Sequence, residues 1–215
     1  MKKLMFLFVF VLLLGMSTSA FAVIISCAGT ADNQLGVWDG GYWNVAGDHY
    51  DDWTEADTMS TDIPYGQSIT LYFGVMNDAT QMSGNPAGLL GEISLSGALF
   101  KETGTSLLLT NALNWEVAAV PVGAFIDPTS AGIVWVNATS YGPNNGGPNL
   151  WGPVSGIDGS AEWIWTANND YTAPLTMDHS AIFRTTVTPT VPEPVTMSLF
   201  GLGLIGFGAT RKRKK

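Results

Sequence analysis

Ala161-Glu162-Trp163-Ile164-Trp165 and, after a polar spacer, Ala181-Ile182-Phe183-Arg184-Thr185-Thr186-Val187 are the two segments on which the fold turns. In extended chain, successive side chains point to opposite faces. Trp163 and Trp165 then share a face, as do Phe183, Thr185 and Val187. Two such strands can bury aromatic rings between sheets. Arg184 and Glu162 fall on the opposite faces of their strands and are expected to pair with each other.

Other segments carry the same period. Ile69, Leu71, Phe73 and Val75 point one way, and Thr70, Tyr72 and Gly74 the other. Strands are also expected at Leu90–Leu95, Ser106–Thr110, Trp115–Val122 and Ile133–Thr139, with a tight turn at Glu102-Thr103-Gly104 before the second of these. Asp39-Gly40-Gly41 divides two aromatic segments between Leu35 and Ala46, which predicts a hairpin. Gly47 to Asp62 reads as an acidic loop carrying Tyr50 and Trp53. Asn77 to Gly88 and Tyr141 to Asp158 read as further loops; the second holds Trp151 and is long enough to suggest function or mobility. With no convincing helical period in the body and no repeat, the expected fold is all-β, a β-sandwich.

The Trp-Ile-Trp strand, the spacer and the Phe-Arg strand resemble a strand pair of galactose-binding-like, jelly-roll domains. That resemblance implies a carbohydrate-active protein or a carbohydrate-binding module.

The two ends read differently. Met1-Lys2-Lys3, the apolar run Leu4 to Leu14 and the small-x-small site Ala20-Phe21-Ala22 form a signal peptide, to be cut by signal peptidase after Ala22. Ile24-Ile25-Ser26-Cys27 offers a looser alternative, a lipobox with Cys27 lipidated. Cys27 is the only cysteine, so no intramolecular disulfide can form, and it is expected as a free thiol near a frayed N-terminus. At the other end, Pro192 and Pro194 lock the backbone of Val191-Pro192-Glu193-Pro194 and keep it out of a central strand. An uncharged apolar run follows, with Leu199, Phe200, Leu202, Leu204, Ile205 and Phe207, short for a membrane helix but able to satisfy its own backbone in lipid. Arg211-Lys212-Arg213-Lys214-Lys215 would hold this tail on the cytoplasmic side of the inner membrane.

This three-part tail resembles the PEP-CTERM sorting signal. The resemblance implies cutting near Pro192–Pro194 by an exosortase of a Gram-negative bacterium, a transient membrane anchor, and delivery to the cell surface or extracellular space, usually among exopolysaccharide. Glu193 would be a recognition residue for that enzyme. The expected organisation is a signal peptide over 1–22, a β-sandwich over 23–190 and the sorting signal over 191–215, with a helix at each end.

Charge narrows the choice of partners. Of nine Lys and Arg, two lie in the leader and five in the tail, leaving Lys101 and Arg184. Of eighteen Asp and Glu, only Glu193 lies outside the body. Seventeen acids against two bases argue against nucleic acid, which needs a basic patch. No nucleophile elbow, zinc-protease motif or phosphate loop is present, and His49 and His179 are far apart in sequence. No enzyme is expected.

Two binding chemistries remain. Asp48, Asp51, Asp52, Glu55 and Asp57 could supply oxygen ligands to calcium, although they match no EF-hand; the competing reading is a solvated acidic loop. Asp158 near Glu162 is a lesser cation candidate. Trp38, Tyr42, Trp43, Trp53 and Trp151 lie in or beside Gly/Asn/Asp-rich turns, where a sugar ring could stack; Trp53, Trp151 and Trp43 are the candidates carried forward. Trp115, Trp135, Trp163 and Trp165 are assigned to the core. The expected function is a structural or adhesion component associated with exopolysaccharide, or alternatively a lectin-like module assisted by calcium.

Overall fold

The computed structural model describes residues 22–38, 40–45, 52–77, 86–121, 125–146, 151–169 and 178–190. Of the expected signal peptide over 1–22 only Ala22 is described, as the first residue of a strand; the expected helices at the two ends, and the sorting motif from Val191 onward, lie outside the described residues. The described residues form strands and no helix. In order these are β1 (Ala22–Asp32), β2 (Gln34–Trp38), β3 (Trp43–Val45), β4 (Asp57–Pro64), β5 (Ile69–Met76), β6 (Gly88–Leu95) and β7 (Leu99–Phe100). There follow β8 (Leu107–Leu109), β9 (Glu116–Ala119), β10 (Val136–Asn137), β11 (Thr139–Pro143), β12 (Glu162–Trp165), β13 (Ser180–Val187) and β14 (Pro189–Thr190).

They build two six-stranded sheets. The first runs β11-β12-β6-β1-β4, with β8 also on β6; the second runs β10-β9-β13-β5-β2-β3. Every strand pair is antiparallel. The sheets share one core. Ile25, Leu89, Ile93 and Ile164 enter it from the first, and Phe73, Val75, Val117, Phe183 and Val187 from the second. A third, two-residue ladder closes the end of the body: Pro189 pairs with Phe100 and Thr190 with Leu99.

The expected hairpin is present, with Val37 opposite Asn44 and Trp38 opposite Trp43. The expected strand at 69–75 is β5, which lies along β13 from Ile69↔Val187 to Met76↔Ser180.

Several expectations are corrected. Asp57–Pro64 is a strand, not loop. Its period of two is written in small and polar residues, with Asp57, Met59 and Ile63 turned inward between the exposed Thr58, Ser60 and Asp62. Cys27 is not near a frayed end. It sits in the middle of β1, opposite Met59 on one side and Ile93 on the other. Cutting before Cys27 would strip Val23 and Ile25 from the core, whereas cutting after Ala22 leaves both in place. The predicted strand 133–139 is broken: β10 is two residues long, and Thr139 already belongs to the other sheet.

Burial raises the Cys27 thiol to about 12. Since the thiolate is the nucleophile, alkylation by iodoacetamide at pH 8 is expected to be on the order of 1000-fold slower in the folded chain than in urea. Mass spectrometry of timed samples checks this, and equal rates would place Cys27 outside the sheet.

Candidate functional site

The tryptophans divide into an inner and an outer set. In β12, Ile164 pairs with Leu89 and both enter the shared core. Trp163 and Leu90, one residue along, belong to a second cluster with Trp151, Val154, Ile157 and Ala161. Trp165 joins the shared core and lies 5.6 Å from the Phe183 ring. The two tryptophans of the Trp-Ile-Trp strand thus serve different clusters rather than one.

The cover of the second cluster comes from residues 151–161 of the connection between β11 and β12. Trp151 stacks on Trp163 at 4.4 Å and 17°, and Trp53 meets Trp163 edge-on at 6.3 Å. The Asn144 amide is buried; it donates to the carbonyls of Val154 and Ile157 and accepts from Val154 N at 2.7 Å. Trp151 Nε1 donates to Asp32 Oδ2 at 3.0 Å. Asp32 is 2% exposed, its Oδ1 has no hydrogen-bond partner among the described residues, and burial raises its carboxyl to about 6 against the pull of the Trp151 bond. Gly88, opposite Asp32, leaves room for the stack: a Cβ there would lie 2.8 Å from Trp163 and 2.9 Å from Trp151.

Trp151 is therefore corrected as a sugar platform. It is 5% exposed, with one face spent on another indole. Trp53 is half-buried against the same group. Trp43 lies in β3, and its side chain is outside the described residues. The apolar spacing Trp151, Val154, Ile157, Ala161 was the signal in the sequence that this connection covers a sheet.

The acidic stretch does not assemble into a metal centre among the described residues, where no group of three or more His, Cys, Asp or Glu side chains converges. Asp48 and Asp51 lie outside them. Asp52 is exposed and accepts from Thr54 N and Oγ1 at 2.9 and 2.6 Å, a local turn. Glu55 is exposed, whereas Asp57 is buried in β4. Asp158 caps its own turn by accepting from Ser160 N, while its backbone N–H donates to Glu92 Oε2 at 2.7 Å.

Arg184 pairs with Glu116, not Glu162. Its Nε lies 2.7 Å from Glu116 Oε2, directly across the β13–β9 ladder. Glu162 stands in the other sheet. Above Arg184 lies the Trp135 ring, 4.3 Å from the guanidinium carbon, with Tyr72 tilted against it at 6.1 Å. Trp135, assigned to the core from sequence, instead covers the outer face of the second sheet. Its neighbours Val134 and Val136 are exposed, so the local pattern offered no inward-facing period.

A concave site lies in the gap between the sheets where β4 ends the first sheet. A cleft of about 560 Å³ is lined there by Ile25, Cys27 and Met59 beneath, and by Trp38, Asn44 and Tyr72 among others around it. Sequence reading singled out Trp38 as a turn aromatic but had no means of opposing it to Tyr72 and β4.

No curated protein and no solved structure matches the chain. Among the described residues no helix is long and apolar enough to cross a membrane. Residues 190–214 match the PEP-CTERM protein-sorting motif, beginning on Thr190, the last residue of the Pro189–Thr190 ladder. The chain carries that motif behind an all-β body, and is thereby an exported protein sorted by an exosortase.

Proposed function

We infer that the chain is a non-catalytic component of the cell surface or extracellular matrix, a structural or adhesion protein associated with exopolysaccharide, whose body is a jelly-roll-like β-sandwich. The observation that carries this reading is the use of the tryptophans. Trp115, Trp151, Trp163 and Trp165 are all buried, and residues 151–161 of one connection are spent on covering a sheet. That is investment in a rigid wall. It suits a body that must persist outside the cell without a disulfide.

The sorting step has a direct test. Glu193→Ala is expected to leave precursor in the inner-membrane fraction and to lower the extracellular form at least tenfold, read by immunoblot of fractionated cells. Wild-type release would remove the exosortase from the account. The matrix role is tested by co-sedimenting the full chain with purified exopolysaccharide of the producing cell. Retention through repeated washing supports it, and recovery wholly in the supernatant overturns it. Repeating the assay with chelator separates calcium-assisted from calcium-independent association. A lectin-like reading is the second choice, and the inter-sheet cleft is the observation in its favour.

A further inference from the structure

We propose that the end of the body at which Ala22 and Thr190 lie is a membrane-docking surface, seated in the phospholipid headgroup layer by Tyr65 and Lys101 while the sorting tail is anchored. This rests on the sorting reading above and adds the surface on which the precursor waits for its exosortase.

Strand register brings the two ends of the body together. Ala22 opens β1 opposite Pro64, the last residue of β4. Just beyond it, Gly66 N donates to the Pro189 carbonyl at 3.2 Å. Ser96 N donates to the Ile24 carbonyl and Lys101 N to that of Thr188, both at 3.0 Å. Leu99 and Phe100 carry the ladder to Thr190 and Pro189. The opposite end is built from Asp32 beside Gly88 and from Ser180 beside Met76. Ala167 and Asn168 are exposed there, just past β12. The eleven residues of β1 set the two ends about 33 Å apart.

The tether is short. Only Val191 to Pro194 separate Thr190 from Val195, where the apolar run begins. Before processing, that run anchors the chain in the membrane. Fully extended, the chain from Thr190 to Val195 spans at most about 18 Å. The headgroup layer takes about 5–7 Å of that. With the ladder closed, the body cannot stand clear of the membrane surface. The side chains flanking the ladder suit this position. Tyr65, next to Gly66, is 38% exposed, and Lys101, next to Phe100, is exposed as well. A tyrosine keeps its ring in the interface and its hydroxyl in water, while a lysine lays its stem on apolar surface and its ammonium among phosphates. Lys101 is the body's only base besides Arg184, which Glu116 holds. Its neighbour Glu102 is turned back to accept from Thr188 N at 3.1 Å, whereas Asp62 is an exposed acid at this end. Cutting after Ala22 would add an α-ammonium group at the same end.

The test uses the precursor reconstituted through its own tail into vesicles of phosphatidylethanolamine and phosphatidylglycerol, with a quencher on part of the headgroups. A dye is attached through Thr103→Cys at the near end or Ala167→Cys at the far end, both exposed positions. Brief labelling at pH 7 spares Cys27, whose thiol burial raises to about 12. Quenching at position 103 should exceed that at position 167 at least fivefold. Tyr65→Ser combined with Lys101→Glu, both on exposed side chains, should lower quenching at position 103 at least twofold with circular dichroism unchanged. Equal quenching at the two positions overturns the proposal and leaves the sorting reading standing. So does strong quenching at position 103 that the double variant leaves unaltered, since the tether alone would then account for it. A precursor that fails to float with the vesicles at all removes the membrane anchor, and with it both readings.

Discussion

Calorimetric scans of the protein between pH 4 and pH 8 should show stability falling as the pH rises through about 6, and Asp32→Asn should remove the fall. The cause is the Asp32 carboxyl, buried beneath Trp151 with one oxygen unpartnered among the described residues. Its folded value stands at about 6 against an ordinary 3.8. The folded state therefore holds a proton that the unfolded chain has already released. The contribution is complete below the unfolded value, declines between the two, and is gone above the folded one. Two units of difference correspond to about 3 kcal/mol, or roughly 6–12 °C in Tm for a domain of this size. Asparagine keeps an acceptor for Trp151 Nε1 and carries no charge, so Asp32→Asn should melt higher than wild type at pH 8 and close to it at pH 4. A flat profile in the wild type would show that Asp32 is solvated.

The second large effect is expected at Trp163. It is fully buried, stacked on Trp151 and touched edge-on by Trp53. Removing a buried indole costs on the order of 3–5 kcal/mol from lost transfer energy and the cavity left behind. Trp163→Ala should therefore lower stability by that amount in urea titration. It should also expose the 151–161 connection to limited proteolysis well before global unfolding, because that connection is pinned by Asn144 at one point and by the indole stack at another. Trp135→Ala makes the contrast. It removes a ring from a partly exposed face over Arg184, where the cation–π contact is worth about 1 kcal/mol. Equal losses at the two positions would mean that the outer tryptophan cluster does not hold its sheet.

How much of this was legible depends on whether the signal was local. The alternation Ile69, Leu71, Phe73, Val75 is a property of one strand, and it located β5 without outside help. The turn glycines of the 35–46 hairpin acted the same way; Gly40 has a φ of +100°, a conformation that residues with a Cβ rarely adopt. The basic tail and Pro-Glu-Pro were legible because short motifs carry their meaning in order and composition. Trp151 was misjudged because Gly, Pro and Asn around it describe a chain that bends, and say nothing of what it bends over. Arg184 was given the wrong partner because choosing between Glu116 and Glu162 requires the strand order. The cleft had no local signature at all, since its walls are brought together from Ile25 to Thr129 by the end of one sheet and the shortfall of another strand.

The small ladder at the end of the body sets how the mature protein bears load. Pro189 and Thr190 are stitched to Phe100 and Leu99, Lys101 N donates to the Thr188 carbonyl and Gly66 N to that of Pro189. Directly before them runs β13, flanked on both sides by β9 and β5. Tension applied at the processed end would first meet this stitching and then pull β13 lengthwise between two neighbours. Bonds lying across the direction of pull must fail together, not one after another. The sorting motif thus follows a strand arranged to resist being drawn out, a grip suited to an object held by one end.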